Sequence, residues 1–190
     1  MTDDVEAERF AGPDEFRAWL ADNHASSPGI WLALAKKGAG AHAVSYAEAL
    51  QVALAFGWID GKALSLDDKF YLQRFTPRRP RSPWSQRNCR FAEALIEAGE
   101  MMPSGLAEVE RARADGRWEK AYDGPRTAEA HPDFLAALER SPAAAEFFAT
   151  LTGRNRYAIY YRVQDAKRDD TRSRRIESFV DRLERHEKFY

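Results

Sequence analysis

Between Arg74 and Arg90 the chain carries six arginines (Arg74, Arg78, Arg79, Arg81, Arg87 and Arg90) and not one aspartate or glutamate. Guanidinium groups are planar, permanently charged and forked. A set of them without local counter-charge is suited to holding phosphate or carboxylate in two-point contacts. Pro77, Pro80 and Pro83 stiffen the segment, which lowers the ordering cost of ligand binding. Ser82 is placed to cap a helix with Pro83 at its first position, so free N–H groups and the positive end of a helix dipole would add to the attraction for an anion. The competing reading is that these arginines pair with some of the chain's many carboxylates or stand solvated, where such pairs contribute little.

Three other groups have chemistry to offer. Asp60 lies in Phe56-Gly-Trp-Ile-Asp-Gly61, where it can serve as a general base, as an anchor for an arginine, or as a turn aspartate that binds backbone N–H groups. The run from Ala166 to Ile176 holds Lys167, Arg172 and Arg175, but Asp169 and Asp170 stand inside it, so most of it reads as helix-surface charge with i,i+4 pairing. His24, His42, His131 and His186 are scattered without metal-ligand spacing, and Cys89 has no second cysteine. No metal site, cofactor or disulfide is therefore expected. The chain has no G-x-S-x-G elbow, no Walker loop and no G-x-G-x-x-G, which lowers the case for the familiar hydrolase, nucleotidase and dinucleotide chemistries.

The elements that must position these residues can be read from local signals. Gly12-Pro13 followed by Asp14 and Glu15 opens a helix with Phe16, Trp19 and Leu20 on one stripe. Ile30 to Lys37 reads as a strand, with a loop from Gly38 to Ala43. Ser45 to Glu48 matches a capping box for a helix that Gly57 can close. Trp58–Leu66 and Phe70–Phe75 flank Asp67-Asp68-Lys69 as an antiparallel hairpin. Helices are expected from Ser82 to Gly99, over Leu106–Ala114, after His131, from Ser141-Pro142, over Arg154–Arg168, and through Ile176, Phe179, Val180 and Leu183, the last capped by Thr171. The fold class is α+β: a small antiparallel sheet in the N-terminal half packed with helices, and an all-helical C-terminal half. One domain is expected over residues 1–190, α+β to residue 80 and helical from 81.

The 190 residues suffice to bury a core without staples. With 29 basic and 30 acidic side chains the net charge is -1, so any attraction for nucleic acid must be local. The acidic start, Met1-Thr-Asp-Asp-Val-Glu-Ala-Glu, has no signal-peptide character, and no apolar run is long enough for a membrane span. A cytoplasmic protein is the expectation; nothing in the sequence specifies an oligomeric state.

Phe16-Arg-Ala-Trp-Leu20, Trp31 with Lys36-Lys37-Gly38, Phe56-Gly-Trp-Ile-Asp-Gly61, Arg74-Phe-Thr-Pro-Arg-Arg-Pro80, Ser82 with Trp84-Ser85, and Ala166-Lys-Arg form a set. On these motifs the chain, from about residue 8 to about residue 185, resembles the YdeI/OmpD-associated family of bacteriocin-protection proteins. The resemblance implies a link to bacteriocin protection and envelope stress and brings no reaction or ligand with it. Tyr160-Tyr-Arg-Val-Gln-Asp165 departs from the family pattern. The motifs coincide with residues that looked site-like from their chemistry: Lys36, Lys37, Asp60, Arg74, Arg78, Arg79, Trp84, Ser85 and Lys167; Tyr71, and Trp58, which also reads as core, complete the candidate ligand-binding set. Three functions compete for them. The first is binding of an anionic small molecule by Arg74, Arg78 and Arg79, with Tyr71 and Trp84 as walls. The second is binding of nucleic acid, with Trp84 or Phe75 stacking on bases. The third is an enzyme acting on an anionic substrate with Asp60 as acid/base.

Overall fold

The computed structural model describes residues 6–39 and 43–190. Met1 to Val5, part of the Gly38–Ala43 loop and His42 lie outside the described residues. The chain divides into two compact units, one ending at Ala121 and one running from Tyr122 to Tyr190.

The first unit has the expected α+β architecture. Helix α1 (Pro13–Asn23) starts on Pro13 and seats Phe16 and Leu20, both fully buried. Strand β1 (Ile30–Ala35) is followed by helix α2 (Tyr46–Ala55), whose capping box is complete: the Ser45 hydroxyl accepts from Glu48 N–H while Glu48 accepts from Ser45 N–H. Gly57, at a φ of 78°, turns the chain out of α2 into β2 (Trp58–Ser65). A hairpin leads to β3 (Phe70–Pro77), and Asp67 builds its turn by accepting from the N–H groups of Lys69 and Phe70, both at 2.7 Å. Those two bonds hold the Asp67 carboxyl below its usual range.

The sheet is antiparallel with order β1-β3-β2, so β3 is the central strand. Its register breaks between Asp60 and Ala63, and Glu8 forms a parallel bridge to Leu32 on the outer side of β1. Ile30, Leu32, Leu34, Trp58 and Phe75 join α1 and α2 in the main core, while Ala33, Phe70 and Leu72 form a smaller cluster. Helices α3 (Gln86–Glu97) and α4 (Pro103–Ala114) complete this unit. The cap of α3 is Ser85, not Ser82 as the Ser-Pro pair suggested. The Ser82 hydroxyl is already engaged in a turn, accepting from Arg79 N–H at 3.0 Å, so the helix begins at the next available serine.

The second unit is helical. Helices α5 (Pro132–Glu139), α6 (Pro142–Thr150), α7 (Gly153–Gln164) and α8 (Asp169–Glu184) enclose a core of Phe134, Leu138, Ile159, Val163, Ile176, Phe179 and Leu183. Two boundaries differ from the sequence reading. Helix α7 ends at Gln164 rather than Arg168, and α8 begins two residues before Thr171, at an Arg168 N-cap without a side-chain cap bond, with Asp169 and Asp170 in its first turn where they complement the helix dipole. Among the described residues no helix is long and apolar enough to cross a membrane.

Candidate functional site

The central strand separates the sequence-predicted site residues into different places. Lys36 N–H bonds to Lys69 O, so Lys36 and Lys37 stand where β3 begins, and Lys36 Nζ donates to Asp67 O at 2.6 Å. Arg78 and Arg79 follow the far end of the same strand, which eight residues of extended chain put roughly 25 Å away. The lysines therefore do not join the arginines. Tyr71, opposite Leu34 and Ser65, belongs to the lysine end, where burial raises its phenol pKa. Lys167 is exposed in the second unit.

Arg74 is half-buried and points to the edge of the sheet. Its guanidinium lies 5.6 Å from the Trp31 ring and against Gly29, in a cleft of about 450 Å³ that also takes in Glu6, Glu8 and Trp19. Gly29 has a φ of 138°, and a Cβ there would meet Phe75 O at 2.7 Å and the Arg74 guanidinium at 2.8 Å. Only glycine lets β1 start while Arg74 packs across it.

Arg78 is a core residue. It is 6% exposed, its guanidinium sits 3.6 Å from the centroid of the Trp84 ring, and Nη1 donates to Pro83 O at 3.2 Å. Trp84 packs in turn on Trp118 at 4.8 Å, and Arg113 lies 4.9 Å from the Trp118 ring, so two neighbouring indoles are flanked by a guanidinium group on each side. Trp84 is 2% exposed, so it offers no wall to a surface ligand and no platform for a base; Trp58, at 1%, and Phe75 are likewise core residues. Trp58 directs its indole N–H to His24 O. Sequence placed these aromatic side chains at the site because motif membership does not distinguish packing from contact.

What remains exposed is a set of four arginines, Arg79 and Arg81 in the turn after β3 and Arg87 and Arg90 on α3, which make up the candidate surface. Arg79 and Arg81 occupy a turn closed by Ser82 N–H to Arg79 O at 2.9 Å, and Arg117 Nη1 donates to Ser82 O at 2.8 Å. Ser85 is buried and uses its hydroxyl to cap α3 through Asn88 N–H, so it is a positioning residue for the helix. Arg87 and Arg90 project from the first turns of α3, three residues apart and hence on adjacent positions of one face.

Asp60 lies beside this surface, in β2 rather than in a turn. Tyr46 Oη donates to Asp60 Oδ2 at 2.8 Å, and the Arg87 guanidinium stands 5.3 Å from the Tyr46 ring and 5.2 Å from that of Phe91. Burial, and then the Asp60 charge, push the Tyr46 phenol up to about 12, so at neutral pH it keeps its proton and donates it. One Asp60 oxygen is thereby committed, and the carboxylate anchors a tyrosine that carries an arginine. Tyr46 is the residue sequence reasoning missed: it stands in the first turn of α2, fourteen positions from Asp60, and no spacing signal connects the two. Among the described residues no group of three metal-ligating side chains occurs.

Residues 8–108, which hold Tyr46, Asp60, the Arg79–Ser82 turn and the arginines of α3, match the family model described as "Domain of unknown function (DUF8412)". The chain belongs to the DUF8412 family. Residues 127–186 match the model described as "Bacteriocin-protection, YdeI or OmpD-Associated", so the YdeI/OmpD-associated likeness holds for the C-terminal part of the chain. The Gly-Trp-Ile-Asp-Gly and Arg-Phe-Thr-Pro-Arg-Arg motifs lie in the DUF8412 part. No curated protein and no solved structure matches the chain.

Proposed function

We propose that this DUF8412 protein binds an anionic small molecule bearing phosphate or carboxylate groups, through the Arg79–Ser82 turn and the arginines of α3. The description "Bacteriocin-protection" is consistent with such binding serving a stress-protection role. The observation that carries the reading is missing counter-charge. Among the described residues no carboxylate lies within 4.0 Å of Arg74, Arg79, Arg81, Arg87 or Arg90.

The backbone under these arginines is fixed before any ligand arrives. Arg78 anchors the turn from below, Ser82 closes it and Arg117 braces it, so little chain entropy opposes binding. Charge-assisted hydrogen bonds of about 1.5–3 kcal/mol each are then available from groups that, among the described residues, have no ion pair to give up.

The test is a thermal-shift and calorimetric titration of inorganic phosphate, AMP, citrate and a single-stranded oligonucleotide, at low and physiological salt. A small anion at 100 times its Kd is expected to stabilise the wild type by about 2.7 kcal/mol. Arg79→Ala/Arg81→Ala is expected to remove that response. If the oligonucleotide alone binds, with affinity falling steeply as salt rises, the surface is a nucleic-acid interface instead. No response to any of the four overturns both.

A further inference from the structure

The second unit carries a cleft of about 320 Å³ lined by Arg154, Tyr157, Ala158, Tyr161, Arg162 and Tyr190. We propose that it is a separate binding site for a planar aromatic acid, with one ring against the tyrosines and one carboxylate or phosphate held by Arg154 or Arg162. The proposal is independent of the arginine turn and shares no residue with it.

The cleft follows from the spacing on α7. Arg154, Ala158 and Arg162 recur every four residues and form one row along the helix, with Tyr157 and Tyr161 in the adjoining row. Ala158 presents only a methyl group between two guanidinium stems, so the floor stays open. The two arginine Cα atoms are about 12 Å apart along the axis, a span that suits one ring with its acid group. The volume is at the small end of ligand pockets and too small for a polymer.

The walls are held in place from behind. Tyr157 donates to Asp123 O at 3.1 Å, and Tyr122 meets the Tyr161 ring edge-on at 5.1 Å. Asn155, 4% exposed, accepts from the N–H groups of Phe189 and Tyr190 at 2.8 and 3.1 Å, which fixes the segment that brings the Tyr190 ring over α7. The Arg154 guanidinium already lies 4.4 Å from that ring's centroid, the geometry an aromatic acid extends by stacking and charge together. Among the described residues neither Arg154 nor Arg162 has a carboxylate within 4.0 Å. Burial pushes the Tyr157 phenol up to about 12, so this wall stays neutral and does not repel an anion.

The experiment uses the full chain in the Arg79→Ala/Arg81→Ala background, so that the first-unit surface does not contribute. Phenyl phosphate, benzoate, cyclohexanecarboxylate and inorganic phosphate are titrated by calorimetry and ligand-observed NMR. One of the two aromatic acids is expected to bind, and which one tells phosphate from carboxylate. The matching non-aromatic probe is expected to bind several-fold more weakly. Adding Arg154→Ala/Arg162→Ala, both exposed positions, is expected to weaken binding by about tenfold or more. Ala158→Leu fills the floor and is expected to abolish it, with circular dichroism confirming the fold. The proposal is overturned if neither aromatic acid binds, if the non-aromatic probes bind equally well, or if the folded Arg154/Arg162 variant keeps full affinity.

Discussion

Two stretches of this chain are dense in arginine, and they resolve their charge in opposite ways. From Arg168 to Arg185 the arginines find carboxylates: Arg168 meets Asp170 at 2.9 Å, Arg172 meets both Asp133 and Asp169, Arg175 meets Asp165, and Arg182 and Arg185 share Glu187. From Arg74 to Arg90 Arg78 is buried on an indole, and the others have no carboxylate within 4.0 Å among the described residues. The difference teaches that arginine density alone says little. Acidic residues within a few positions convert a basic run into self-neutralised helix surface, and their absence leaves the charge directed outward.

The comparison is most sharply tested inside the first stretch, at neighbouring positions. Arg78→Ala is expected to lower unfolding stability by about 2–3 kcal/mol in a denaturant titration, through the lost stack on Trp84 and the gap beneath it. Arg79→Ala is expected to stay within about 0.5 kcal/mol, as for other surface positions. Equal effects would break the distinction between anchor and exposed charge. A smaller effect is expected in the second stretch. Arg172→Ala should lower the Tm slightly at low salt, because this side chain ties α8 to Asp133 of α5, and the deficit should vanish at high salt. No salt sensitivity would mean that the neutralised stretch is neutral only on paper.

An effect confined to alkaline pH concerns Tyr46, through which Arg87 is tied to an acid indirectly. Its phenol is raised from 10.0 to about 12. A raised pKa means that the folded state holds its proton more tightly than the unfolded chain, so this contribution is fully present below pH 10 and is lost as pH rises through about 12. Tyr46→Phe should therefore flatten the alkaline limb of a stability-versus-pH curve. An unchanged limb would separate Tyr46 from the Asp60 and Arg87 charges.

The parts of the fold that were legible in sequence are those with local causes. The capping box at Ser45, the left-handed turn at Gly57 and the hairpin at Asp67 each depend on residues a few positions apart. The choice of Ser85 over Ser82 as cap was not legible, because it depends on which hydroxyl the Arg79 turn consumes. The candidate site was half legible: its charge is plain in the sequence, but the assignment of Arg78 to the core and Arg79 to the surface is not. The layer that takes in Arg78 and Trp84 is completed by Trp118, some forty residues away in the chain, whose ring packs on Trp84 at a tilt of 54°. The pairing of Tyr46 with Asp60 is likewise a product of the α2 and β2 packing rather than of any spacing.

The sheet's borders also restrict what can associate with it. A sheet of three strands has two edges where another chain can add a strand by backbone pairing. On β1 that edge is already met by Glu8, which gives its N–H to Trp31 O and accepts from Ala33 N–H, both at 2.9 Å. On β2 the break between Asp60 and Ala63 interrupts the ladder, and the charged Lys62 stands within it. Among the described residues, the Glu8 bridge on β1 and the irregular stretch with Lys62 on β2 shorten the regular edge on each border, which disfavours addition of a further strand there.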